Sequence, residues 1–180
     1  MEGKISSGLL WNEAGKAGLA LGLVSTAYMF LNLLLAGGGA GFLGGILSFL
    51  LWLGKLVLCI WLMGFFMKRL VARHPEADNA ATFRFGTRTA LLSSLLFSAA
   101  SLANVLFISK DAMMEQWEAA ISSYSSMLDS NSMEMLDRMQ ANLPQITFIS
   151  NLIYCFLFGT ILALILSRNI PAKDPFADNQ

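Results

Sequence analysis

Apolar residues run in four long stretches along this chain, at about 17–36, 46–67, 89–109 and 146–167. Each matches the roughly 20 helical residues that cross a ~30 Å hydrocarbon core. The stretches are continuous, without the alternation of barrel strands, so they predict four membrane-spanning helices. Small and polar residues share one face of each. The first carries Gly18, Gly22, Ser25, Met29, Asn32 and Ala36, and the second Ser48, Trp52, Lys55 and Cys59. The third carries Ala90, Ser94, Ser98 and Ser101, and the fourth Asn151, Cys155, Gly159, Ala163 and Ser167. Gly18 and Gly22 have GxxxG spacing, and with Gly159 and Ala163 they are the expected helix-packing positions.

Residues 110–145 follow a different rhythm. Met113, Trp117, Ala120, Ile121, Tyr124, Met127 and Leu128 recur at helical spacing. After Ser130-Asn131-Ser132 the pattern resumes with Met133, Leu136, Met139 and Leu143. Asn131 and Glu134 have the spacing of a capping box that would start a second helix, and Pro144 would end it. The prediction is an all-α, integral membrane four-helix bundle, one domain over residues 1–180, with an amphipathic helical outer loop. The apolar face of that loop needs a cover: the membrane surface, the bundle or another subunit.

Composition agrees and excludes alternatives. The chain is 56% hydrophobic and 13% charged, against roughly 25% charged in a soluble domain. With 12 basic and 12 acidic residues it has no basic footprint for nucleic acid. Distribution changes the meaning of that zero. Lys4, Lys16, Lys68, Arg69, Arg73, Arg84, Arg88, Arg168 and Lys173 fall on the side of the termini and the 68–88 connection. Only Lys110 and Arg138 fall on the other side, where Asp111, Glu115, Glu118, Asp129, Glu134 and Asp137 dominate. The positive-inside rule then puts both termini in the cytoplasm. The first stretch follows Lys4 and Lys16 as a signal sequence would, but exceeds a signal's apolar core of about 7–15 residues, so it is expected to be retained.

The residues offer little catalytic chemistry. His74 is the single histidine, with no cysteine or carboxylate cluster around it. The glycine-rich turn at 37–45 lacks the Lys-Ser/Thr ending of a phosphate loop. Phe83 and Phe85, with Arg84 and Arg88, read as an interfacial anchor. The loop methionines are soft enough for Cu(I), but those on its apolar faces read as packing or adaptable contacts. Cys59 and Cys155 lie within spans and form no CxxC motif. No catalytic residue, metal site, cofactor or enzymatic activity is expected.

One ionisable residue lies inside a span. Lys55 is roughly 13 Å from Ile46, the outer end of its run, at 1.5 Å per residue. Such residues are functional candidates. Asn32, Asn104, Asn151, Tyr28 and Tyr154 fall at similar depths. Facing inward together, they would make a ligand-binding cluster for an anionic group such as a lipid phosphate or a substrate carboxylate. Alternatively, Lys55 faces a hydrated crevice or a subunit interface and the asparagines only tie helices together.

The four spans, the glycine-rich first turn, the acidic methionine-rich loop, Phe85-Gly86 opening the third span and the tail from Arg168 through Pro171 to Phe176 form a pattern. It resembles the bacterial domain-of-unknown-function family four-one-nine-nine. The resemblance implies a small multi-pass protein of the bacterial inner membrane and carries no catalytic residue. The function expected is an accessory or interaction subunit that docks through Met113, Trp117, Ile121, Tyr124, Met133, Leu136 and Met139 on the periplasmic-side loop. The alternative is a small oligomeric transporter or channel subunit built around Lys55. Expected partners are membrane lipids and either further copies or other membrane proteins, not nucleic acid.

Overall fold

The computed structural model describes residues 6–36, 42–124 and 129–170. Met127, Leu128, the glycines at 37–41 and the tail beyond Ile170 lie outside them. Among the described residues there are six helices and no strand: α1 (Ser7–Ala36), α2 (Phe42–Arg73), α3 (Asn79–Phe107), α4 (Lys110–Tyr124), α5 (Ser130–Ala141) and α6 (Leu143–Asn169). Helices α1, α2, α3 and α6 are long and apolar enough to cross a membrane.

The helices outrun the apolar stretches for identifiable reasons. Helix α1 starts at Ser7 because Leu10 and Ala14 continue the buried face of Ala17 and Leu21. Helix α2 stops at Arg73, since His74 precedes a proline and is steered out of the helical region. Asp78 caps α3, its carboxylate accepting from the Ala81 N–H at 2.6 Å. The cap of α5 differs from expectation. Asp129, not Asn131, accepts from the Ser132 N–H at 2.9 Å. Glu134 does not reach back to complete a capping box; it pairs with Arg138 at 2.7 Å. Pro144 does not end α5 either. It sits in the first turn of α6, where its missing N–H is no loss.

Close contacts give the topology. Residues 18 and 22 of α1 meet 92 and 96 of α3, a parallel pairing. Residues 86 and 90 of α3 meet 163 and 159 of α6, an antiparallel one. Helix α3 is the central member, packing along much of its length on α6 and α1, while α2 rests mainly on α1. In its most apolar window 28% of α3 is buried, against 6% in α2 and in α6. The buried residues of α3 include Thr82, Thr89, Ser94, Ser98 and Ser101, so its small hydroxyl face is turned inward. Lipid tails are as apolar as leucine, so helices in a bilayer gain by close packing and not by hiding apolar surface.

The core is concentrated at the end that carries the α2–α3 turn, called the basal end below. Leu10, Ala14, Ala17, Leu21, Met63, Met67, Leu70, Phe85, Ala90, Ala163 and Ile170 form one buried cluster there. Phe85 is thus a core residue, 1% exposed, and Phe83 packs against the same cluster. Of the residues read as an interfacial anchor, Phe85 is therefore part of the core, and Arg88 has its guanidinium 5.0 Å from the Trp11 ring centroid and donates to the Ser7 carbonyl and hydroxyl. Helices α4 and α5, called the distal cap below, follow α3 at the opposite, distal end, and α4 touches α3.

Candidate functional site

Lys55 projects from α2 between two neighbouring helices. Its Nζ lies 5.0 Å from the ring centroid of Tyr28 on α1 and 4.9 Å from that of Phe97 on α3. The ammonium is therefore held between two ring faces, an arrangement worth about 0.5–2 kcal/mol per ring depending on desolvation. Among the described residues no carboxylate pairs with it. Cys59 lies one turn deeper on α2, and Cys155 stands on α6. Both thiols are free.

Of the anticipated polar cluster, Tyr28 joins Lys55 and the others go elsewhere. Asn151 donates from Nδ2 to Ser101 Oγ at 2.9 Å, tying α6 to α3. Asn104 accepts from the Ser109 hydroxyl at 3.3 Å and finishes its own helix. Asn32 is half buried and takes part in neither bond. Tyr154 faces outward, 66% exposed and stacked on Phe158 with centroids 6.4 Å apart. Trp52 is also outward, stacked on Phe49 at 6.0 Å, so it leaves the face assigned to it with Lys55. Phe97 carries no polar atom, so the sequence does not single it out as a partner for a cation. Gly86 opposite Met67 sets the α2–α3 register that brings Lys55 level with Phe97 and Ser98.

The expected packing residues occupy the close approaches. A Cβ on Gly18 would sit 2.7 Å from Leu92 Cβ and 3.2 Å from the Thr89 carbonyl oxygen. One on Gly22 would meet Leu96 at 2.6 Å. Gly159 faces Ala90, where a Cβ would come to 2.6 Å, and Gly86 faces Ala163 at 2.6 Å. The last two contacts interlock, each helix offering a glycine to the other's alanine.

The distal cap has a divided surface. Met113, Trp117, Ile121, Met133, Leu136 and Met139 are half buried, while Tyr124 at 62% and Met135 at 64% are exposed. The indole N–H of Trp117 is turned inward. Gln140 of α5 contacts the Met114 sulfur of α4 at 3.9 Å, so the two short helices touch. No residue of either is buried among the described ones. Asp129, the N-cap of α5, has its carboxyl held below the usual aspartate range by the Ser132 hydroxyl and N–H.

At the basal end, Glu13 pairs with Lys16 at 2.7 Å and Arg73 at 3.8 Å. His74 Nδ1 lies 3.4 Å from Glu76. Among the described residues no three His, Cys, Asp or Glu side chains converge as metal ligands.

These contacts define a small all-α protein with four helices of membrane-crossing length, joined by small-residue packing around a central helix. The chain belongs to the family described as protein of unknown function (DUF4199), whose profile matches residues 16–168. No curated protein and no solved structure matches it.

Proposed function

We propose that this chain is a non-enzymatic accessory subunit of the bacterial inner membrane, docking another integral membrane protein through the α4–α5 cap. The observation carrying this reading is the cap itself. It forms two helices joined to the distal end of the bundle, the second capped by Asp129, which bury no described residue completely and expose Tyr124 and Met135 beside a half-buried apolar row. Amphipathic helices presenting aromatic and methionine side chains suit adaptable contact with a partner. The excess of lysine and arginine at the basal end supports a cytoplasmic location for both termini and a periplasmic one for the cap. The test is photo-crosslinking in cells, with the reactive group at Tyr124 or Met135 and, as control, at Phe49 or Trp61. A discrete heteromeric adduct confined to the cap positions supports the reading. Adducts at the control positions only, or association unchanged by deleting residues 112–143, overturn it.

A small oligomeric transporter or channel subunit is the second reading. It is favoured by the half-buried Lys55 of α2, whose ammonium lies between the rings of Tyr28 on α1 and Phe97 on α3. Anion flux into liposomes that disappears in Lys55→Met supports it; flux equal to empty liposomes overturns it.

A further inference from the structure

Helices α2 and α6 run side by side at the basal end but meet lightly. Gly64 leaves space between them, and a Cβ built there would meet only Leu166, at 4.0 Å. An apolar groove of about 400 Å³ results, walled by Trp61, Phe65 and Leu166 with Gly64 at its base. Its polar residues are Lys68 and Asn169. Lys68 is exposed and makes no ion pair among the described residues. The nearby carboxylates are engaged elsewhere: Glu13 with Lys16 and Arg73, Glu76 with His74, and Asp78 with the start of α3.

We propose that this groove holds one anionic glycerophospholipid, its acyl chain against Trp61, Phe65 and Leu166 and its phosphate on Lys68, with Asn169 as a second donor. The groove has the polarity of such a molecule. Seven residues separate Lys68 from Trp61, so apolar wall extends about 10 Å from the cation toward the membrane centre. A lysine at the interface with its charge unpaired attracts an anionic headgroup. A second copy of this chain fits less well. A two-fold axis along the membrane normal would bring two Lys68 ammonium groups to one mouth, where like charges repel.

The test uses the purified full chain, titrated with phosphatidylglycerol and phosphatidylcholine of identical acyl chains and read by native mass spectrometry. One phosphatidylglycerol should be retained in preference by about five-fold, the factor that ~1 kcal/mol per interfacial lysine supplies. Lys68→Gln should bring the two lipids to parity, and Lys68→Arg should restore the preference. Gly64→Phe should fill the groove and release both lipids without lowering the melting temperature. If that variant is unstable, Gly64→Leu is read in the same way. Parity in the wild-type chain, a preference that survives Lys68→Gln, or bound lipid that survives filling the groove overturns the proposal. So does displacement of the lipid by inorganic phosphate alone, or binding that appears only after residues 171–180 are deleted, which would assign the groove to the chain's own tail.

Discussion

The two halves of the bundle are built from the same four helices but joined in different ways. In the basal half, backbone meets backbone. Gly86 lies against Ala163 and Gly159 against Ala90, and Phe85, Met67 and Ala163 are sealed at 1%, 0% and 0% exposure. In the distal half, polar groups take part in the seam. Ser98 and Ser101 of α3 are buried, the Lys55 ammonium sits between rings of α1 and α3, and Asn151 bonds to Ser101, while Phe107 at 83%, Leu34 at 75% and Tyr154 at 66% exposure point outward. Apolar content does not distinguish the halves. What differs is the kind of small residue at the α3 seam, glycine and alanine in the basal half and serine in the distal one, because in lipid the gain from bringing helices together comes from packing and hydrogen bonding.

The largest expected effect tests the basal interlock. Gly86→Leu or Gly159→Leu places a branched side chain where a Cβ alone would be 2.6 Å from an alanine, and Ala163 and Ala90 cannot swing aside. Overpacking of this kind costs about 1–3 kcal/mol. Gly54→Leu, where nothing lies within 4 Å of the added Cβ, should be neutral or stabilising by up to ~1 kcal/mol through helix propensity. Thermal unfolding in one detergent compares the three. Similar losses at all of these positions would erase the contrast between the halves.

A smaller effect is expected at Lys55. Lys55→Met removes a cation that is costly to desolvate and also removes two ring contacts, so its net change should be small. The coupling is the informative quantity. A double-mutant cycle between Lys55→Met and Tyr28→Leu should give an interaction energy of about 0.5–2 kcal/mol, and the cycle with Phe97→Leu a similar value. Zero coupling in both would mean that the rings only border the lysine, leaving the distal half with one polar tie.

The two halves were not equally legible in the sequence. Gly18, Gly22 and Ala163, with Ser94, Ser98 and Ser101 of α3, lie buried, and Gly159 makes a close approach to Ala90; small size has one consequence at a helix interface. The polar residues were harder to place. Asn104 and Asn151 share residue type and depth, yet one bonds along its own helix and the other across to α3. An amide can satisfy itself locally or between helices, and only the rotation of the helix decides. Lys55 is exceptional as a charge within a span, but its partners are aromatic faces that hydropathy scores as inert. The α5 cap shifted from Asn131 to Asp129 because both residue types cap well and the apolar rhythm fixes a start only to within a turn.

The next expected loss concerns the distal tie. Asn151→Leu should cost about 0.6 kcal/mol, typical of a hydrogen bond between membrane helices, and Ser101→Ala about the same. Combining the two should add little to either alone, since both break one bond. Unfolding in detergent measures all three. A loss as large as that of Gly86→Leu would place the distal half on equal terms with the basal one.

The smallest effect lies outside the spans and tests how independent the cap is. The Ser132 hydroxyl and N–H stabilise the charged form of Asp129, so its carboxyl titrates below the ordinary aspartate range. For a depressed carboxyl, the stabilisation is present above the unfolded-state value and is lost as pH falls through the folded-state one. Acidification should therefore fray the start of α5 while leaving the four long helices unchanged. The Ser132 amide shift, followed by NMR in detergent, should titrate with a midpoint below the usual aspartate range. Asp129→Asn should keep the cap, since an amide oxygen also accepts from Ser132, and abolish the titration. A midpoint at or above the ordinary range would show that the carboxylate is not held by Ser132. A simultaneous change in the α3–α6 resonances would show that the cap and the bundle unfold as one unit.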